Sequence, residues 1–453
     1  MSNKTQDAVY NAKELGAGKV TVLGLQHMFA MFGATVLVPL LTGLDVSTTL
    51  FFAGIGTLLF HLLTKGKVPA FLGSSFAFLG GYFAIAPMLE DGSSNVEMIP
   101  YACFGVACAG LLYLVLALLI KLFSAGKIMK FFPPIVTGPI IIAIGLTLSQ
   151  SAIDNCATNW LVALVAIVVV VICNIYGKGM IKIVPILIGV VVSYISGVCM
   201  GEVDFSAVKD AAWVGLPFVK DMTILGLFDD SFDVSLLITA VVTIMPIALA
   251  TIVEHIGDIS AISSTTGINY IKEPGLHRTL LGDGLATIAA SLFGAPANTT
   301  YGENTGVLNL SKVYDPFVVR LAAGFAIFFS FCPKFAAIIQ TMPTATVGGI
   351  SLVLYGMISA VGVRNIVENK VDFTASRNVI IAALILVLAI GINYSAAGAI
   401  AFSIGSITIS FSGLATGALV GIIMNAILPG KDYTFSEDEP KDTGVNFEVG
   451  QNH

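Results

Sequence analysis

Residues 69–80 read PAFLGSSFAFLG, and residues 294–306 read GAPANTTYGENTG. Both lie where apolar segments would cross a bilayer, yet Gly, Ser, Thr, Asn and Pro interrupt each one at its start before helical character returns. Irregular backbone at membrane depth is tolerated only where protein or a water-filled cavity supplies hydrogen-bond partners. A pair of such interruptions in matching halves of a chain points to a transporter binding site. Half-helices starting near Phe76 and Glu303 would aim unsatisfied N–H groups and positive dipole ends at one cavity. The alternative is a pair of kinks held by packing.

The surroundings are membrane-like throughout. Charged residues make up 11% of the 453 and apolar residues 56%, against about 25% charged in a soluble domain. Fourteen segments are read as spans: 19–42, 47–64, 70–89, 99–123, 128–150, 158–176, 181–200, 234–256, 276–294, 298–312, 316–340, 343–362, 376–393 and 398–428. With a cytoplasmic N-terminus, only Lys209, Lys220 and Lys334 of the 22 Lys and Arg fall outside, as the positive-inside rule requires. The outer loops are acidic, with Glu90, Asp91, Asp154, Glu202, Asp229 and Asp230 among them. No cleavable signal peptide is expected. The six Cys show no paired spacing, so neither disulfides nor a metal site is expected.

Two halves overlay in order. Gln26-His27 corresponds to Glu254-His255, Pro69-Ala70 to Pro296-Ala297, and Pro133, Gly138 and Ile140 to Pro343, Gly348 and Ile350. Seven spans per copy is an odd number, so the second copy inserts upside down, as in transporters built from inverted repeats.

Ionisable groups inside the spans are few: His27, His61, Glu254, His255, Asp258 and Glu303, with Asp283 expected close to the cytoplasmic end of the ninth. A carboxylate at mid-membrane costs at least ~2.5 kcal/mol, so it marks function by default. Glu254 and Asp258 stand four apart and share a helix face. Both ionised, they would repel, so the pair favours holding a proton, which suits proton coupling. Static carboxylates bonded to local hydroxyls are the alternative. His27 reads equally as a packing or a functional residue, His61 as structural and Lys312 as an interfacial lysine.

At these residues the chain resembles the nucleobase–ascorbate transporter (nucleobase:cation symporter-2) family, and within it the bacterial uracil permease branch. The resemblance covers roughly 19–430 and is carried by LQHMFAMFGATVLVP (25–39), VPAFLGSSFAF (68–78), EHIGD (254–258), GLHR (275–278) and NTTYGENTG (298–306). The family signature reads Glu303-Asn304-Thr305-Gly306 followed by Ser311-Lys312, with Ser replacing the usual Thr. The resemblance implies an all-α polytopic fold with fourteen spans in a seven-plus-seven inverted repeat and short antiparallel strands in segments 3 and 10. It implies a core domain (19–125 and 233–341) and a gate domain (126–232 and 342–430), while the polar residues 1–18 are read as a cytoplasmic tail and the polar, acidic residues 431–453 as a disordered one. Glu254 and Glu303 would hold a nucleobase, the N–H groups of Phe76 and Gly302 would meet its carbonyls, and Ala34, Ser75, Tyr301 and Tyr355 would complete the pocket. Ser74 and Asn304 would support them. Glu254, Asp258 and His27 would serve proton coupling, with Asp258 standing where the best-known relatives carry His.

Uracil suits such a site on chemical grounds, having two N–H donors and two carbonyl acceptors that match carboxylates and half-helix N–H groups. The implied activity is proton-coupled uracil import across the bacterial cytoplasmic membrane, with no cofactor besides the proton. A homodimer is implied, and no nucleic-acid partner. A purine carrier for xanthine or urate and an anion exchanger of the same fold are the competing readings. An enzyme is not expected, because Glu254-His255 lacks metal-ligand spacing and no Ser–His nucleophile pair is present.

Overall fold

The computed structural model describes residues 8–89, 91–228, 232–404, 407–431 and 433, and the side chains of these apart from 180, 183, 303, 403, 404 and 407–409. Glu90, Asp229 and Asp230 of the acidic loops, and nearly all of the expected 431–453 tail, lie outside the described residues. The protein is mostly helical, with two small antiparallel sheets. Among the described residues, seven helices are long and apolar enough to cross a membrane, or eight if one bent pair counts as a single span.

The first part of the chain contains α1 (Ala17–Thr42), α2 (Val46–Leu63), β1 (Leu72–Ser74), α3 (Leu79–Ile85) and α4 (Ile99–Phe123). Then come α5 (Pro134–Thr147), α6 (Ser149–Ala157), α7 (Trp160–Tyr176) and α8 (Pro185–Cys199). The second part contains α9 (Val234–Ile244), α10 (Ala248–Thr266), α11 (Leu276–Leu292), β2 (Asn298–Thr300), α12 (Gly302–Ser311), α13 (Pro316–Ser330) and α14 (Pro333–Gln340). It ends with α15 (Thr344–Glu368), α16 (Ser376–Asn393), β3 (Ala399–Ile404), β4 (Ile407–Ser412) and α17 (Gly413–Ile427). Local chemistry sets many of these boundaries. Asp45, Asn159, Asp233 and Asp315 each cap a helix start by accepting from its first N–H groups, and proline opens α5, α8, α13 and α14, where its missing N–H costs nothing.

Helix packing divides the molecule into two groups. In one, α11 packs between α2 and α4, α13 lies on α2 and α1, and α9 lies on α4. In the other, α15 packs on α5, α6 and α7, while α16 and α17 pair beside α5.

Three segments differ from the sequence reading. The stretch 398–428 is not one helix, because residues 399–412 form an antiparallel hairpin whose register runs from Ala399↔Ser412 to Ile404↔Ile407. The sequence there, AIAFSI followed by ITISFS, alternates Ile and Phe with Ala, Ser and Thr, a pattern that fits a pleated ribbon. The stretch 316–340 bends by 87° between α13 and α14, where Pro333 cannot continue the preceding helix. The eighth segment, read as 234–256, passes through a tight turn of helix at Met245–Ile247 around Pro246 and runs on to Thr266, which places Glu254 and Asp258 well inside α10.

Candidate functional site

The two interrupted segments meet. Leu72, Gly73 and Ser74 pair antiparallel with Thr300, Thr299 and Asn298, and the ladder extends through Ser75 N–H to Ala297 O (3.0 Å) and Tyr301 N–H to Phe71 O (2.9 Å). A ribbon this short is not stable alone, so neighbouring helices hold it. Leu72 N–H donates to Thr57 Oγ1 at 2.9 Å from α2, and Thr287 of α11 donates to Asn298 O at 2.7 Å. Asn298 Nδ2 reaches Phe52 O at 2.5 Å. The Tyr301 hydroxyl crosses the ribbon to Ser74 O at 2.7 Å and receives Thr35 Oγ1 of α1 at 3.3 Å. Gly73 is required by this crossing, because a Cβ there would stand 2.6 Å from the Tyr301 ring and 2.8 Å from Thr35 Oγ1.

Each strand hands over directly to a helix. Phe76 opens a short 3₁₀ turn, Phe76–Phe78, that continues into α3, and Gly302 is the first residue of α12. The first N–H groups of both helices have no partner within their own helix. A small cavity lies against these two starts. Ser74, Ser75, Phe76, Glu254, Tyr301 and Gly302 line it from the first helix group, and Ile141, Ile358 and Val361 close it from the second. Thus a carboxylate, two helix starts, two aromatic rings and an apolar wall converge between the two packing groups. Glu303 follows Gly302 in α12, and its side chain lies outside the described residues. Ala34 and Tyr355 are buried without lining the cavity, and the Tyr355 ring stands edge-on behind Phe76 with centroids 5.8 Å apart.

Behind the ribbon lies a buried polar cluster. Thr300 Oγ1 donates to Asp258 Oδ2 at 3.0 Å and sits 3.2 Å from His255 Nδ1. The opposite ring nitrogen of His255 is 3.0 Å from Thr279 Oγ1, and Asp283 Oδ2 is 3.4 Å from His255 Nδ1. Thr279 gives its own proton to Leu276 O at 3.0 Å. His27 belongs to a separate contact, with Asn304 Nδ2 3.2 Å from its Nδ1 and 3.2 Å from its carbonyl oxygen. His61 bonds Ala70 O at 2.9 Å, a structural role.

Asp283 corrects the sequence reading. It is fully buried in the middle of α11 rather than close to an end of it. The signal was its two glycine neighbours. A Cβ at Gly282 would sit 2.7 Å from the Phe60 ring and one at Gly284 2.6 Å from Tyr113, so α11 is pressed between α2 and α4 with Asp283 inside. His255 and Thr300 also gain roles that sequence reasoning did not assign, because their partners come from three separate segments.

An apolar helical bundle that opens onto two half-helix starts and a carboxylate is the architecture of a membrane carrier. Residues 18–398 match the permease family. The chain belongs to this family, that of the nucleobase–ascorbate transporters, and is an integral membrane transporter rather than an enzyme. It is 41% identical to the uracil permease of Bacillus caldolyticus over 426 residues, 91% of this chain and 93% of that protein. It is 36% identical to the uracil permease of Escherichia coli (strain K12) over 419 residues, 89% and 90% of the two chains. The putative pyrimidine permease RutG of the same strain is 36% identical over 442 residues, 95% and 94%. Among solved structures, the transmembrane domain of the cyanobacterial bicarbonate transporter BicA superposes with TM-score 0.60 at 16% identity, covering 84% of this chain and 97% of that one. SLC26A9 gives TM-score 0.65 at 13% identity, covering 92% and 66%. These two likenesses concern the fold alone.

Proposed function

We propose that this permease imports uracil together with a proton. The observation that carries the reading is the cavity in which Glu254 faces the helix starts at Phe76 and Gly302. A carboxylate accepts from the N–H groups of a neutral base, the helix starts donate to its carbonyls, and Phe76 and Tyr301 cover its flat faces. Glu303 supplies the second carboxylate. Relatives that carry the name uracil permease at 36–41% identity support the choice of base. Ser75 completes the pocket, Ser74 and Asn304 brace the two half-helices, and Ala34 and Tyr355 form the packing behind them. The coupling proton resides on Glu254, Asp258 and their neighbours, with His27 bonded to Asn304 at the foot of α12.

In this reading the first helix group is a core domain (19–125 and 233–341) that moves against a gate domain formed by the second (126–232 and 342–430). The packing division and the placement of the cavity between the groups support it. The fourteen spans form two inverted repeats, both termini face the cytoplasm of a bacterial cell, and two copies associate in its inner membrane.

Radiolabelled uracil uptake into proteoliposomes, with and without an imposed pH gradient, tests the proposal. Uptake driven by the gradient and abolished by a protonophore is expected. Uptake that survives the protonophore overturns symport. Failure to take up uracil saturably, or stronger competition by xanthine or urate than by unlabelled uracil, overturns the substrate.

A further inference from the structure

Residues 9–15 are laced across one end of the first helix group. Val9 N–H donates to Lys312 O at 2.9 Å, and Tyr314 N–H returns to Val9 O at 2.8 Å, a parallel bridge of Val9 with Val313. The Tyr10 hydroxyl donates to Thr266 O at 2.7 Å, and its ring packs on Tyr314 with centroids 5.4 Å apart. Ala12 N–H donates to Asp315 Oδ2 at 2.7 Å, while Ala12 and Val20 share an apolar cluster with Val313 and Val318.

These contacts fall on three helix ends. Thr266 is the last residue of α10, Lys312 caps α12 in a left-handed conformation (φ 56°), and Asp315 caps α13. Terminal carbonyls lack partners within their own helix, so Val9 and Tyr10 satisfy groups that would otherwise seek water. Helix α12 has ten residues, about 15 Å at the usual rise. One end joins a three-residue strand, and the other joins this segment. So short a helix has few bonds of its own, and its position depends on both anchors.

We propose that residues 9–15 are a positioning strap that fixes α10 against α12 and thereby sets the distance between Glu254 and the helix start at Gly302. The strap touches neither the cavity nor the buried acid cluster, and it acts only through the two helices that carry them.

Val9→Pro removes one N–H donor, and Tyr10→Phe removes one hydroxyl without altering the ring packing, which keeps the test valid if the proline variant fails to fold. Hydrogen–deuterium exchange on the full-length protein in detergent is expected to show faster exchange at residues 298–306, remote from the substitution. Faster exchange confined to 8–16 and 311–316 overturns the proposal. A second arm rests on the uracil reading. In proteoliposomes, KM for uracil is expected to rise about fivefold, with turnover per folded transporter retained. An unchanged KM with reduced turnover overturns positioning in favour of a purely structural role. If the wild-type protein takes up no uracil, the substrate reading falls while the exchange result still decides the strap.

Discussion

The two interrupted segments do the same geometric job by different means. The arm that runs from β1 into α3 is mostly apolar, with Leu72, Phe76, Ala77 and Phe78 all buried, and it is held by close packing at Gly73, which admits the Tyr301 ring, and by uncharged hydroxyl partners such as Thr57. The arm that runs from β2 into α12 is polar. Its Thr300 ties the ribbon to Asp258 and His255, and its Asn304 ties α12 to His27. One arm is a packed wall, whereas the other connects the cavity to titratable groups. A permease that moves a neutral base with a proton needs both, a rigid surface to measure the ligand and a surface that senses charge.

Substitutions on either side can break that contrast. The largest effect is expected where the arms converge: Glu254→Gln should weaken uracil binding roughly tenfold to hundredfold, from the value of a hydrogen bond to a charged group, as read by calorimetry on purified protein. On the packed arm, Gly73→Ala should lower stability by about 1–3 kcal/mol through overpacking against Tyr301, measured by thermal unfolding in detergent. The pH profile of uptake in that variant should keep its shape. On the polar arm, Thr300→Val deletes the donor to Asp258 and should cost about 1–3 kcal/mol for the acceptor left behind. Its diagnostic result is a displaced pH profile in proteoliposome uptake. Equal displacement in the Gly73 variant would erase the distinction between the arms.

The smallest effect is expected away from both. Lys67 pairs with Glu273 in an exposed loop, and the lysine's hydrogen bond and charge hold the Glu273 carboxyl below its usual range. Any stability from this pair is present at neutral pH and lost as pH falls through that lowered value. Because both groups are solvated, Lys67→Gln should leave uptake and the melting temperature unchanged.

Much of this contrast was legible in the chain before folding. The density of Gly, Ser and Pro at 69–80 and 294–306 marked both arms, and the rarity of charge elsewhere made Glu254 and Asp258 conspicuous. The strand contacts themselves required two segments more than 200 residues apart to meet, which local pattern does not encode. The β3–β4 hairpin was missed because Ile, Phe and Ala satisfy a hydropathy count in either conformation, and only the alternation of Ile and Phe with Ala, Ser and Thr separates ribbon from helix. Asp283 was misplaced because burial depends on the neighbours of α11, and the flanking glycines reveal close packing only once Phe60 and Tyr113 are known to press there. The strap at Val9 and Tyr10 was invisible for the same reason, since its partners are main-chain carbonyls of remote helices.

The three-residue ribbon joins the two halves through main-chain atoms. Its pairing therefore does not depend on which side chains occupy Ser75 or the positions after Gly302, the places where a ligand would be judged. Mutation can rewrite those letters without unfastening the halves from each other. A lineage built on this join is free to explore new cargo one substitution at a time, and an engineer seeking altered selectivity should begin at the same positions.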